Sequence, residues 1–227
     1  MKMAAGNSVN DEIREQQAKL KGKPFKEKWD YFWNYYKVHT IVTILIIVAV
    51  SNLIYTIVTQ KDVVMSVAFV NTYLKEEIDS EQMAADYGLY AGIDTNTSTA
   101  ELSTNMVISY EGMDEMSYTN SQKLVAMTAA QSIDIIVADD NYLEHNMESG
   151  LFWDLTDFLP AQTLEKYADR LKYADLPDDD KGEVPYAIDI SDSKYMLSDQ
   201  LPAWFCVVGN AANVDNLASF LDFMMEP

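Results

Sequence analysis

From Thr40 to Thr59 the chain reads TIVTILIIVAVSNLIYTIVT, a run without a formal charge. At about 1.5 Å per helical residue this run covers roughly 30 Å, the hydrocarbon thickness of a bilayer. It divides the chain into a basic, aromatic segment over 1–39, a transmembrane helix over 40–60 and a domain over 61–227. Secretory signal peptides have short n-regions and a small-residue cleavage site. Here residues 1–39 precede the apolar run, so a retained anchor is expected, and no cysteine near its end supports a lipid anchor.

The flanks orient the span. Lys2, Arg14, Lys19, Lys21, Lys23, Lys26, Lys28 and Lys37 precede it, and only Lys61 follows closely. Cytoplasmic flanks carry the excess of Lys and Arg, so the N-terminus is expected in the cytoplasm and the C-terminal domain outside the cell. The cluster WDYFWNYY, Trp29 to Tyr36, supplies rings suited to the headgroup layer.

Charge then narrows the partners. The whole chain carries −20, yet residues 1–61 carry +4, which leaves −24 on residues 62–227. A surface of that sign repels phosphate backbones and anionic lipid, so no nucleic acid partner is expected. The membrane is met through the one helix, and the acid excess otherwise reads as a solubilising surface.

The outer domain alternates strand and helix. Val63 to Val70 is β-branched and apolar, and DSEQMAADYG follows with Asp79 or Ser80 as cap and Gly88 as stop. Asn105 to Tyr110 reads as a second strand, before a helix with Thr119 and Gln122 at capping-box spacing. Ile133 to Ala138 is the third strand, and Asn141 to Ser149 a short helix ended by Gly150. Beyond it, Leu164, Tyr167 and Leu171 continue a helical stripe and Leu176 to Pro185 is an acidic loop. VPYAIDI and AWFCVVG are two more strands, and Leu217, Phe220, Leu221 and Met224 stripe a last helix. Repeated β-α units predict an α/β domain with a mostly parallel sheet and helices on both faces.

The segment QSIDIIVADDNYLEHNMESGLFWDLTDFLP resembles the first lobe of extracellular solute-binding proteins of the type II periplasmic-binding fold, in which a strand, a short helix, a glycine and a DLT-type turn follow one another. VPYAIDIS and VVGNAANVDNLASFLDFM are similar to that family's later strand and helix. The resemblance implies a periplasmic-binding-like domain. The chain between the DLT turn and the closing helix is too short for the usual second lobe, so a single, membrane-anchored lobe is expected.

In such sheets ligands bind outside the carboxyl ends of parallel strands. The residues placed there are Asn71, Tyr110, Glu111, Asp139 and Asp140, with Tyr186 and Asp189 from the later strand. Asp139 and Asp140 also suit the N-cap of the following helix, the commoner role for aspartate in any protein. Two function classes remain open. The resemblance implies a solute-binding module that captures a sugar, peptide or other small solute for a transporter. The missing lobe points instead to a degenerate binding fold that docks on a membrane protein in a cell-surface complex. The resemblance, the near-interface aromatics and the absence of structural disulfides fit a Gram-positive bacterial surface protein.

Enzymatic chemistry finds no support. The motifs G-x-x-x-x-G-K-[ST], H-E-x-x-H and G-x-S-x-G are absent. Cys206 is the only cysteine and sits in a buried-strand pattern, while the histidines are His39 and His145 alone. Asp178 to Asp180, and the pair Asp189 and Asp192, offer oxygen ligands for calcium without EF-hand spacing, so no metal or other cofactor is expected.

Overall fold

The computed structural model describes residues 14, 18, 21–112, 114–177 and 181–226. The acidic run Asp178 to Asp180 therefore lies outside the described residues. The chain forms two compact units, residues 1–60 and 61–227.

In the first unit the helix α1 (Phe25–Thr59) begins after Pro24. A proline just ahead of a helix starts it readily, because its fixed φ suits the entry and no N–H is wasted. Within α1, Tyr36–Thr59 is long and apolar enough to cross a membrane, and side chains from Ile44 to Val58 are exposed. Before it, rings four residues apart stack along the helix, Trp29 on Trp33 at 6.3 Å and Phe32 on Tyr36 at 5.6 Å.

The second unit is α/β and contains β1 (Asp62–Val70), α2 (Ser80–Tyr90), β2 (Ser98–Met106), α3 (Glu115–Ala129), β3 (Ile135–Ala138) and α4 (Asp140–Asn146). These are followed by α5 (Ala161–Lys166), β4 (Leu171–Asp175), β5 (Glu183–Asp189), β6 (Trp204–Val207) and α6 (Leu217–Met225). One sheet of six strands runs β2-β1-β3-β6-β5-β4.

The sheet is mixed, which corrects the expectation of a mostly parallel one. β1 pairs in parallel with β2 and β3, whereas β6 is antiparallel to β3, β5 to β6 and β4 to β5. The reason lies in the connections. Parallel neighbours need a crossover of helix length, and α2 and α3 supply it in the first half. Between β4 and β5 the chain has only residues 176–182, which fits a hairpin.

Period-2 alternation sorts the strand side chains onto two faces. Met65, Val67 and Phe69 of β1, Ile135 and Val137 of β3, and Phe205 and Val207 of β6 share one core with Met83 and Tyr87 of α2 and the α6 stripe Leu217, Phe220, Leu221 and Met224. Ala68, Val70, Ile136, Ala138 and Cys206 face the other core with Leu124 of α3 and Tyr142 and Leu143 of α4. Each large apolar side chain so buried contributes about 1.5–3 kcal/mol. Tyr87 meets Phe220 edge-on at 5.2 Å and its hydroxyl is shared with Ser219 at 2.8 Å, which fixes α6 against α2.

Local signals explain most boundaries. Asp79 caps α2, accepting from the N–H groups of Glu81 and Gln82. Gly88 does not stop that helix. It is buried within it, where an added Cβ would come within 2.9 Å of Thr95 Cγ2, and the chain leaves near Gly92 instead. Gly150 does take the left-handed conformation, at φ 72°, after a 3-10 turn over Met147–Ser149.

Candidate functional site

Strand polarity places the carboxyl ends of β1, β3 and β5 along one edge, and the antiparallel β6 adds its first residue, Trp204, opposite both Ala138 and Asp189. The structure gathers Asn71, Tyr110, Glu111 and Asp139 around a single open depression of about 400 Å³, joined by Tyr73 and Asn141. Among its described lining residues none is basic.

Most of the polar groups there already have partners. Asn71 adopts φ 55°, a conformation asparagine tolerates better than most residues. Its side chain clamps the next segment: Nδ2 donates to Ile108 O at 2.9 Å, and Oδ1 accepts from Ile108 N at 2.8 Å. Nδ2 also reaches Asp139 Oδ1 at 3.3 Å. That oxygen accepts from Tyr142 N at 2.9 Å, so Asp139 is the N-cap of α4. Thr72, beside Asn71, donates from Oγ1 to Val137 O at 3.1 Å.

Tyr110 stacks flat on His145, with ring centroids 4.0 Å apart and 2° between planes, and its hydroxyl accepts from Asn146 Nδ2. Burial raises the Tyr110 phenol above its ordinary value; the hydrogen bond from Asn146 opposes this and the Asp139 carboxylate adds to it. Glu111 is exposed, and its backbone carbonyl accepts from Ser109 Oγ at 3.0 Å. Of the four, Glu111 alone is an exposed residue.

The other three expected residues sit elsewhere. Asp140 binds Lys172 Nζ at 2.7 Å and Trp204 Nε1 at 2.8 Å through one oxygen, and Lys172 also lies 4.5 Å from the Trp204 ring centroid. Sequence spacing carries no signal for this cluster, because its members come from α4, β4 and β6. Tyr186 belongs to the core, packed near Phe152 at 6.3 Å between centroids, and burial pushes its phenol up to about 12. Asp189 holds its own turn, accepting from Ser191 N at 2.9 Å and from Ser191 Oγ at 2.5 Å. Asp192 grips Arg170 with both oxygens, at 2.6 and 2.8 Å.

A second, more apolar groove of about 370 Å³ lies between α3 and α4, where Leu124, Val125 and Leu151 line it with the other side of Tyr110. The chain matches no protein-family model, no curated protein and no solved structure significantly.

Proposed function

We propose that this chain is a single-pass membrane protein with a cytoplasmic N-terminus, and that residues 61–227 are an extracytoplasmic interaction module of a cell-surface complex, consistent with a Gram-positive bacterium. One observation carries this reading. At the carboxyl edge of the sheet, the polar side chains that a solute would recruit serve the domain itself: Asn71 clamps the chain, Asp139 caps α4, Asp140 pairs with Lys172 and Asp189 closes a turn. A shared fold alone would not assign transport. Protease added to intact protoplasts is expected to remove residues 61–227, and the full chain in native membranes is expected to migrate in a complex larger than itself. A protected domain, or a chain that migrates alone, overturns the reading.

A second reading rests on the depression ringed by Asn71, Tyr110, Glu111 and Asp139. Its stacked Tyr110 and exposed Glu111 suit a neutral or cationic small solute, such as a sugar or a peptide amine, delivered to a transporter. A ligand at a hundred times its Kd stabilises the native state by about 2.7 kcal/mol, which a thermal-shift screen of sugars, amino acids and peptides detects. Loss of the shift in Glu111→Gln would support this reading; no shift with any compound sinks it.

A further inference from the structure

The two edges of the sheet are built differently. β4 is short, carries Lys172, and its ladder with β5 is irregular between Lys172 and Tyr173. Charge, brevity and irregularity are the usual devices that keep an edge from pairing with another chain. β2, at the opposite edge, is STAELSTNM, nine residues with no proline and no basic residue. Its ladder with β1 is irregular at both ends, but the run Ala100–Ser103 between them pairs in continuous register with Met65–Ala68.

That regular run opens on a groove of about 500 Å³. Ala84, Ala85 and Glu81 of α2 form its far wall, and Ala100, Glu101 and Leu102 its near one. The small alanines leave room above the strand. The carboxylates of Glu81 and Glu101 have no ion-pair partner among the described residues, whereas Lys61, at the groove's end, donates its ammonium to Thr95 O.

We infer that the open edge of β2 receives an extended, lysine- or arginine-bearing segment of a partner protein, which adds to the six-stranded sheet beside Ala100–Ser103. Strand addition obtains affinity from main-chain hydrogen bonds and selectivity from alternate side chains. Here the side chains on one face of the added strand lie over Ala84 and Ala85, where cationic ones reach Glu81, and cationic ones on the other face reach Glu101. A second copy of this chain is the poorer occupant, because two domains that each carry −24 repel one another. The inference rests on the interaction reading and specifies its surface.

The test uses the full chain in nanodiscs and two probes: a short peptide of valine and lysine with lysines on both strand faces, and the same peptide N-methylated at alternate amides. The first peptide is expected to slow amide exchange across residues 98–106, and the N-methylated one is not. Glu101→Lys combined with Glu81→Lys is expected to weaken binding tenfold or more, while Glu165→Lys, at an exposed acid on α5, leaves it unchanged. Equal binding of both peptides would reduce the effect to charge alone and overturn strand addition. So would protection confined to another surface, or an unaffected double variant. Failure of the interaction reading itself would show separately, as a chain that migrates alone in native membranes.

Discussion

Asn213 donates twice to the carboxylate of Asp134, from its backbone N–H to Oδ1 at 2.9 Å and from its side-chain amide to Oδ2 at 3.1 Å. The same carboxylate accepts from Ser66 N at 2.8 Å and Ala212 N at 3.0 Å. Asp134 is fully buried, so four donors replace the water it lost. It ties β1, the start of β3 and the loop that leads to α6, at the end of the sheet opposite the candidate site.

Asp134→Ala is therefore expected to be among the most destabilising single substitutions in the domain. It strands three backbone N–H groups, and each hydrogen bond to a charged acceptor contributes about 1.5–3 kcal/mol. A loss of roughly 3 kcal/mol or more in denaturant unfolding is expected. A loss below about 1 kcal/mol would mean that the loop finds other acceptors.

Ser66 makes the opposite case. Its backbone N–H serves Asp134, but its buried hydroxyl has no hydrogen-bond partner among the described residues. Removal of an unsatisfied buried hydroxyl relieves a desolvation cost, so Ser66→Ala is expected to leave stability unchanged or raise it by up to about 1 kcal/mol. A clear drop in the unfolding midpoint would show that a water or another group holds the hydroxyl.

Acid should weaken the domain through two carboxylates. Hydrogen bonds from Arg170 hold the Asp192 carboxyl below its ordinary value. Burial pushes Asp154 upward, but hydrogen bonds from Lys181 and Thr156 outweigh it and hold the group low. A carboxyl depressed in the folded state adds stability above its unfolded pKa of about 3.9 and loses it as pH falls through the folded value. The stability gap between the native chain and Asp192→Asn or Asp154→Asn is thus expected to be full at neutral pH and to shrink below about pH 4. A gap that stays constant on acidification would remove these groups from the acid response.

The domain is legible in its sequence where burial is complete. β1, β3, β5, β6 and α6 follow apolar patterns that the two cores require. β2 is displaced from the expected Asn105 to Tyr110, because an edge strand is only half buried and STAELSTNM shows few apolar side chains. Met106 and Ile108 look strand-like since both are buried beside α3, yet Asn105, at φ 63°, disrupts the regular ladder just before them. α3 likewise starts at an Asp114 cap, ahead of the expected Thr119, whose hydroxyl instead bonds Glu115 O within the helix at 2.8 Å. β4 was hidden in a helical stripe: Leu164, Tyr167 and Leu171 do share one core, but the backbone becomes extended at Leu171. Of the candidate site, strand-end positions were readable, whereas whether a side chain faces the depression, the core or a salt bridge depends on contacts across long sequence separations. Tyr186 and Asp140 differ from Glu111 only in that respect.

Cys206 offers a probe of the whole sheet. It is the chain's only cysteine, fully buried on β6, a strand with β3 on one side and β5 on the other. Burial raises its thiol well above the ordinary range, with Lys172 opposing, and Sγ lies 3.7 Å from the Trp204 carbonyl. Thiol reagents attack the thiolate, so neither its accessibility nor its protonation state favours reaction in the native fold. Labelling of the full chain is expected to be slow at neutral pH, and its rate should follow global unfolding, because a strand paired on both sides is exposed only when the sheet parts. Asp134→Ala should accelerate it by the same factor as it raises the unfolded population, and Ser66→Ala should not. Rapid labelling without loss of global stability would show instead that β6 opens locally, and would make the antiparallel half of the sheet the mobile part of the domain.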